Sequence, residues 1–143
     1  MKILKYFILT CIFLLGCAAM ILYEGDIPTD VVDARYTSAN SQFSELGDLG
    51  RVHYRDEGRR QAPPIVLLHG SNASLHTFEP WVTRLEDKFR VVTIDLPGHG
   101  LTGAIPSDNY SRDTMVQVVN ELANKLGLEH FVIGGNSMGG SIA

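Results

Sequence analysis

This chain of 143 residues holds two cysteines, Cys11 and Cys17, and both fall inside its one long apolar run. No disulfide framework or cysteine-based zinc site is therefore open to the remaining residues. Positive charge is also short: 12 Lys and Arg stand scattered against 16 Asp and Glu, for a net charge of -4. Such a surface does not gather phosphate backbones, which argues against a nucleic-acid partner. No Walker lysine and no H-E-x-x-H pair occur, so phosphate-loop and zincin chemistry have no starting point. Internal repeats and low-complexity blocks are absent too. What is left is ordinary single-domain material, 45% hydrophobic and 20% charged.

The apolar run comes first. Lys2 and Lys5 precede an uncharged stretch from Tyr6 to Tyr23, and Glu24, Asp26 and Asp30 follow it. As a helix this stretch reaches about 27 Å, close to the hydrocarbon thickness of a bilayer. Positive charge before it places the N-terminus in the cytoplasm and the rest outside. Residues 1–24 are thus expected to be a membrane anchor or signal segment, with the lipid bilayer as partner through residues 6–23. The location implied is the periplasmic or extracellular face. Two alternatives stay open: Leu14-Leu15-Gly16-Cys17 resembles a lipobox that would lipidate Cys17, and the run could be a cleaved secretory signal. Ala18-Ala19-Met20-Ile21-Leu22-Tyr23 remains apolar past that cysteine, which favours a retained anchor.

Residues 25–43 are mixed and polar without a sustained period, and are expected to be a linker. From residue 44 to 143 short apolar runs alternate with amphipathic ones. Ser44-Glu45-Leu46 and Arg51-Val52-His53-Tyr54-Arg55 predict paired strands joined through Gly47-Asp48-Leu49-Gly50. Pro64-Ile65-Val66-Leu67-Leu68, Arg90-Val91-Val92-Thr93-Ile94 and Phe131-Val132-Ile133 are apolar on both faces, the pattern of parallel strands covered by helices. Phe78, Trp81, Val82 and Leu85 lie at helical spacing, with Pro80 tolerable in the first turn. A second helix is predicted from Arg112 to Leu126, capped by Ser111, striped by Met115, Val118, Val119, Leu122 and Leu126, and ended by Gly127. Strand and helix in alternation predict a doubly wound α/β sheet, whose ligands lie beyond the carboxyl ends of the strands.

Gly135-Asn136-Ser137-Met138-Gly139 follows the last of these strands directly. A G-x-S-x-G between strand and helix is the mark of a nucleophile elbow, a strained turn that lifts a serine oxygen toward a substrate carbonyl. The flanking glycines are needed because side chains there would strike the neighbouring strand and helix. Gly98-His99-Gly100-Leu101-Thr102-Gly103 also fits a dinucleotide fingerprint. However, Ala104-Ile105-Pro106 follows it where a helix would have to start, so that reading is set aside.

Three elements occur in order, each after a buried strand: His69-Gly70-Ser71-Asn72, Asp95-Leu96-Pro97-Gly98-His99-Gly100, and Gly135-Asn136-Ser137-Met138-Gly139-Gly140. Together they resemble the N-terminal half of α/β-hydrolase fold enzymes, over about residues 44–143, and the leading anchor resembles the membrane-anchored bacterial members. The resemblance implies a mostly parallel sheet truncated after the fifth strand, with an N-terminal transmembrane helix. It implies Ser137 as nucleophile and the N–H groups of Ser71 and Met138 as the oxyanion hole. Gly70, Gly135, Gly139 and His69 would support the elbow and its loops. His69, His99 and Asp95 would brace loops. His53, His76 and His130 read as ordinary surface or partly buried residues. The catalytic acid and histidine come after the serine in this fold, and only residues 138–143 follow it here. The acid and base are therefore expected from outside these 143 residues, and the chain alone is expected to be inactive.

The expected activity is hydrolysis of a carboxylic ester-like bond in a small-molecule substrate through an acyl-enzyme, with no metal and no cofactor. A serine at the elbow disfavours the dehalogenase and epoxide hydrolase branches, which use an aspartate there. Carbon–carbon bond hydrolysis and cofactor-free perhydrolysis use the same front half and stand as alternatives. So does a non-catalytic anchored fragment.

Overall fold

The computed structural model describes residues 2–143. Its apolar leader forms helix α1, Lys2–Leu22, long and apolar enough to cross a membrane, with none of its residues buried against the rest of the chain. Helix α2, Thr29–Tyr36, follows after residues 23–28. The strands are β1 (Ser41–Glu45), β2 (Arg51–Gly58), β3 (Pro64–Leu68), β4 (Arg90–Ile94) and β5 (Val132–Gly135), and the remaining helices are α3 (Glu79–Leu85), α4 (Arg112–Lys125) and α5 (Met138–Ile142).

The sheet order is β1-β2-β4-β3-β5. Strands β4, β3 and β5 run parallel, while β2 lies antiparallel to β4 and β1 antiparallel to β2. The register aligns Tyr54, Ile94, Leu68 and Gly135 across one row. The residues that leave the sheet beyond that row, His69, Asp95 and Asn136-Ser137, consequently emerge at the same carboxyl edge. This is the site position expected for a doubly wound sheet.

At β3 and β4 both faces of the sheet are covered, as their two-sided apolar runs require, whereas no residue of β5 is buried. On one face Val52, Val66, Leu68, Val92, Ile94 and Leu96 pack against Met115, Val118, Val119, Leu122 and Ala123 of α4. On the other, Leu67 and Val91 meet Phe78 and Val82 at α3. Each fully buried aliphatic side chain is worth roughly 1.5–3 kcal/mol relative to exposure. The predicted ends of α4 hold as well. Ser111 Oγ accepts from the Thr114 N–H, and Gly127 takes φ +68° just past the helix.

The stretch 25–43, expected as a linker, contains α2 and the first three residues of β1. Helix α2 carries no apolar stripe that a periodicity could reveal. It is fixed instead by a contact 18 residues away in the chain, the ion pair of Asp33 with Arg51 at the start of β2. Strand β1 is set in the same way by its antiparallel register with β2, from Ser41 opposite Arg55 to Glu45 opposite Arg51. Strand β5 lies at an edge of the five described strands, and Val132 is 64% exposed.

Candidate active site

Ser137 stands between β5 and α5 with φ 51° and ψ −113°. For a non-glycine residue this is left-handed, strained backbone, tolerated where the surroundings impose it. The surroundings here are backbone. A β-carbon on Gly135 would collide with the carbonyl of Gly139, and one on Gly139 with the carbonyl of Leu68 at the end of β3. Both elbow glycines thus do what the sequence pattern implies. Gly70 is a third contact, since a β-carbon there would sit 3.3 Å from both Asn136 O and Ser137 Cβ, tighter than ordinary packing. The Asn136 N–H donates to Leu68 O at 3.0 Å, tying the elbow to the strand that precedes Gly70.

This packing brings the two expected oxyanion residues together. The Ser71 hydroxyl approaches Met138 Sδ at 3.6 Å, and Ser137 is exposed between the loop and α5. Among the described residues, neither the Ser71 nor the Met138 N–H donates to a backbone acceptor outside the regular elements. Main-chain N–H groups are the donors an oxyanion hole uses, and the two residues expected to supply them meet through their side chains next to exposed Ser137.

The charged groups nearby have other work. Asp95 is buried, and its carboxylate accepts from three directions: Leu75 N–H at 2.8 Å, Leu101 N–H at 2.9 Å and His53 Nδ1 at 2.7 Å. Burial alone would raise its pKa, but the hydrogen bonds from His53, Leu75 and Leu101 together outweigh it and hold the carboxyl below its ordinary range. Gly100, at φ +49°, is required because a β-carbon there would strike this carboxylate. The glycines of Gly98-His99-Gly100 therefore wrap a loop around an aspartate, and the resemblance to a dinucleotide fingerprint has a structural origin.

His69 is wholly buried. Its Nε2 accepts from the Leu96 N–H at 3.0 Å, so the ring proton sits on Nδ1 and is donated to Gly70 O at 2.7 Å. Burial lowers its pKa and keeps it neutral. With both nitrogens engaged, His69 braces the loop that carries Gly70 and Ser71 and cannot take the Ser137 proton.

His53 departs from expectation. It was expected as a surface or partly buried residue, yet it is wholly buried, its ring 5.0 Å from that of Phe43. The antiparallel register of β2 with β4 carries it to the carboxyl edge, where its carbonyl accepts from the Asp95 N–H at 3.0 Å and its own N–H donates to Thr102 Oγ1 at 2.9 Å. Nothing in the local pattern Val52-His53-Tyr54 signals this, because the partner lies 42 residues further on. Of the other histidines, His76 pairs with Glu79 and His99 bonds Pro97 O. Exposed His130 precedes β5, at the far end of that strand from Ser137.

A sequence profile of the family described as alpha/beta hydrolase fold matches residues 63–143. The chain is similar to haloalkane dehalogenase 2 of Mycobacterium tuberculosis, at 35% identity over 94 residues covering 66% of this chain and 32% of that protein. It is also similar to human epoxide hydrolase 4, at 33% identity over 103 residues covering 71% of this chain and 28% of that one. Among solved structures, a hydrolase from Pseudomonas aeruginosa PA01 superposes with a TM-score of 0.68 at 27% identity, over 74% of this chain and 40% of that chain. The chain spans about a third of the length of these curated relatives. Profile match, fold and elbow agree: the chain belongs to the α/β-hydrolase fold family.

Proposed function

We propose that the protein is a membrane-tethered hydrolase that cleaves a carboxylic ester-like bond through an acyl-enzyme at Ser137. The observation that carries this reading is the strained Ser137 backbone, held by Gly135 and Gly139, with the side chains of Ser71 and Met138 in contact beside it. Ser137 Oγ attacks the carbonyl carbon, the two N–H groups bind the oxyanion at about 3 kcal/mol each, the alcohol leaves, and water releases the acid. The general base is none of the four histidines with fixed partners. By the order of the fold it follows the elbow in the chain.

The similar proteins include a dehalogenase and an epoxide hydrolase by name, yet the nucleophile here is a hydroxyl. A serine oxygen that displaced a halide or opened an epoxide would be left in an alkyl ether, which water does not release. A carboxylate nucleophile in the same place would form an ester, which water can cleave at its acyl carbon. Turnover by a serine therefore requires a substrate whose own carbon is acyl.

The test is a substrate panel on the full-length protein, with p-nitrophenyl esters beside a haloalkane and an epoxide. Ester turnover abolished by Ser137→Ala is expected, and turnover of the halide or epoxide alone would overturn the reading. For the tether, α1 is expected to hold the protein in the membrane fraction with Glu45 onward open to protease in spheroplasts. A change of Cys17→Ser that released the protein would favour lipidation instead.

A further inference from the structure

Helix α2 sits where a linker was expected, and it is bound to the site end of the sheet. Asp33 receives two hydrogen bonds from the Arg51 guanidinium, at 2.6 and 3.1 Å, and the same guanidinium donates to Leu101 O at 2.8 Å and lies 4.3 Å over the Phe43 ring. Forked, partly buried pairs of this kind hold geometry better than a lone surface ion pair. Beyond the pair, Val32 and Tyr36 close a cavity of about 270 Å³ against Ser74, His76, Asp95 and Leu101. Helix α2 thus lies on the loops that follow β3 and β4, the loops that hold Gly70, Ser71 and Asp95. On α2 itself Val31 is 51% exposed, whereas Ile27, in the connection to α1, lines a cavity with Val32, Asp33, Arg51 and the loop from Gly100 to Ala104. Only residues 23–28 separate α2 from α1, and fully extended they reach roughly 20 Å.

We propose that α2 is a clip that holds the carboxyl edge of the sheet, and the mouth of the Ser137 site with it, against the bilayer surface, so that the enzyme takes its acyl substrate from the lipid phase. The proposal rests on the readings of α1 as anchor and Ser137 as nucleophile. Val31 enters the interfacial layer, the side that bears Asp33 faces the sheet, and the short connection to α1 prevents the site from turning away. Substrates of this class are lipophilic esters that partition into membranes.

The test uses the full-length protein with Cys11→Ala and Cys17→Ala in phosphatidylcholine vesicles carrying a nitroxide on the headgroup. A fluorophore is placed on Thr77→Cys, at the carboxyl edge, or on Gln61→Cys, a strand length away at the opposite edge. Quenching about two-fold stronger at 77 than at 61 is expected, from a separation of roughly 17 Å along β3. Adding Asp33→Ala should level the two. In parallel, Asp33→Ala should slow hydrolysis of a long-chain ester dissolved in the vesicles by about 5- to 10-fold through lost effective concentration. Hydrolysis of soluble p-nitrophenyl acetate should stay unchanged. Equal quenching at both positions overturns the clip, and failure to bind vesicles overturns the anchor and the clip together. Equal slowing of both esters overturns the substrate assignment. Absence of any turnover with the quenching contrast intact contradicts the serine hydrolase reading and upholds the clip.

Discussion

The carbonyl of Leu68, the last residue of β3, occupies the space that a β-carbon on Gly139 would need. This one contact links a glycine in the sequence motif to the neighbouring strand, and so to the loop that begins at His69. It fixes the start of α5, and with it the Met138 N–H, relative to Gly70 and Ser71.

Gly139→Ala is accordingly expected to destabilise the fold beyond the usual range for overpacking, by about 3 kcal/mol or more, because the obstacle is backbone and cannot rotate away. Gly103→Ala makes the control: its position is at φ +64° but has open space around it, so only the smaller cost of left-handed backbone, roughly 1–2 kcal/mol, applies. Thermal melting of the two variants beside the parent protein checks the order, and equal losses would show that the contact with β3 is not what demands glycine.

Asp95 separates a bracing role from a catalytic one. Asp95→Ala leaves the Leu75 and Leu101 N–H groups and the His53 ring without their acceptor inside the fold, at a cost of about 3–5 kcal/mol. Asp95→Asn keeps one carbonyl acceptor and is expected to lose less. In the Asn variant, the rate of ester hydrolysis by the folded fraction should stay within a few-fold of the parent. A loss of about 10⁴-fold, the size seen when a triad acid is replaced, would make Asp95 a triad member.

The lowered pKa of His69 gives a pH dependence with a definite sign. Its folded value lies below the ordinary 6.5, so as pH falls below about 6.5 the unfolded chain takes up a proton that the folded one refuses. Stability should therefore drop on acidification from that point, by at most about 1.4 kcal/mol per pH unit from this group. The depressed Asp95 carboxyl adds its loss only below about pH 4, since its ordinary value is 3.8 and its folded one is lower. Melting curves at pH 7.5 and 5.5 for the parent and His69→Gln measure the difference, and an unchanged slope in the variant would remove His69 as the source.

Much of this was readable in the chain. The three two-sided apolar runs became β3, β4 and β5, and Ser111 and Gly127 bounded α4 where they were expected. These signals are local: a run, a cap and a left-handed glycine act within a few residues. The elbow was legible for the same reason, because its glycine spacing records a clash between adjacent pieces of backbone. What stayed hidden depends on long-range partners. His53 looks like any polar residue in a strand until the register sets it beside Asp95, and α2 looks like a linker until Arg51 engages Asp33.

The central claim is that Ser137 is an activated nucleophile with an oxyanion hole beside it, and covalent labelling tests it most directly. The full-length protein is treated with a fluorophosphonate, whose phosphorus takes on the tetrahedral geometry that the Ser71 and Met138 N–H groups would hold, and the adduct is mapped by peptide mass spectrometry. A single phosphonylated site at Ser137, absent from Ser137→Ala and retained in Asp95→Asn, is the predicted result. An unlabelled Ser137 in a folded protein, or labelling that survives Ser137→Ala, would contradict it.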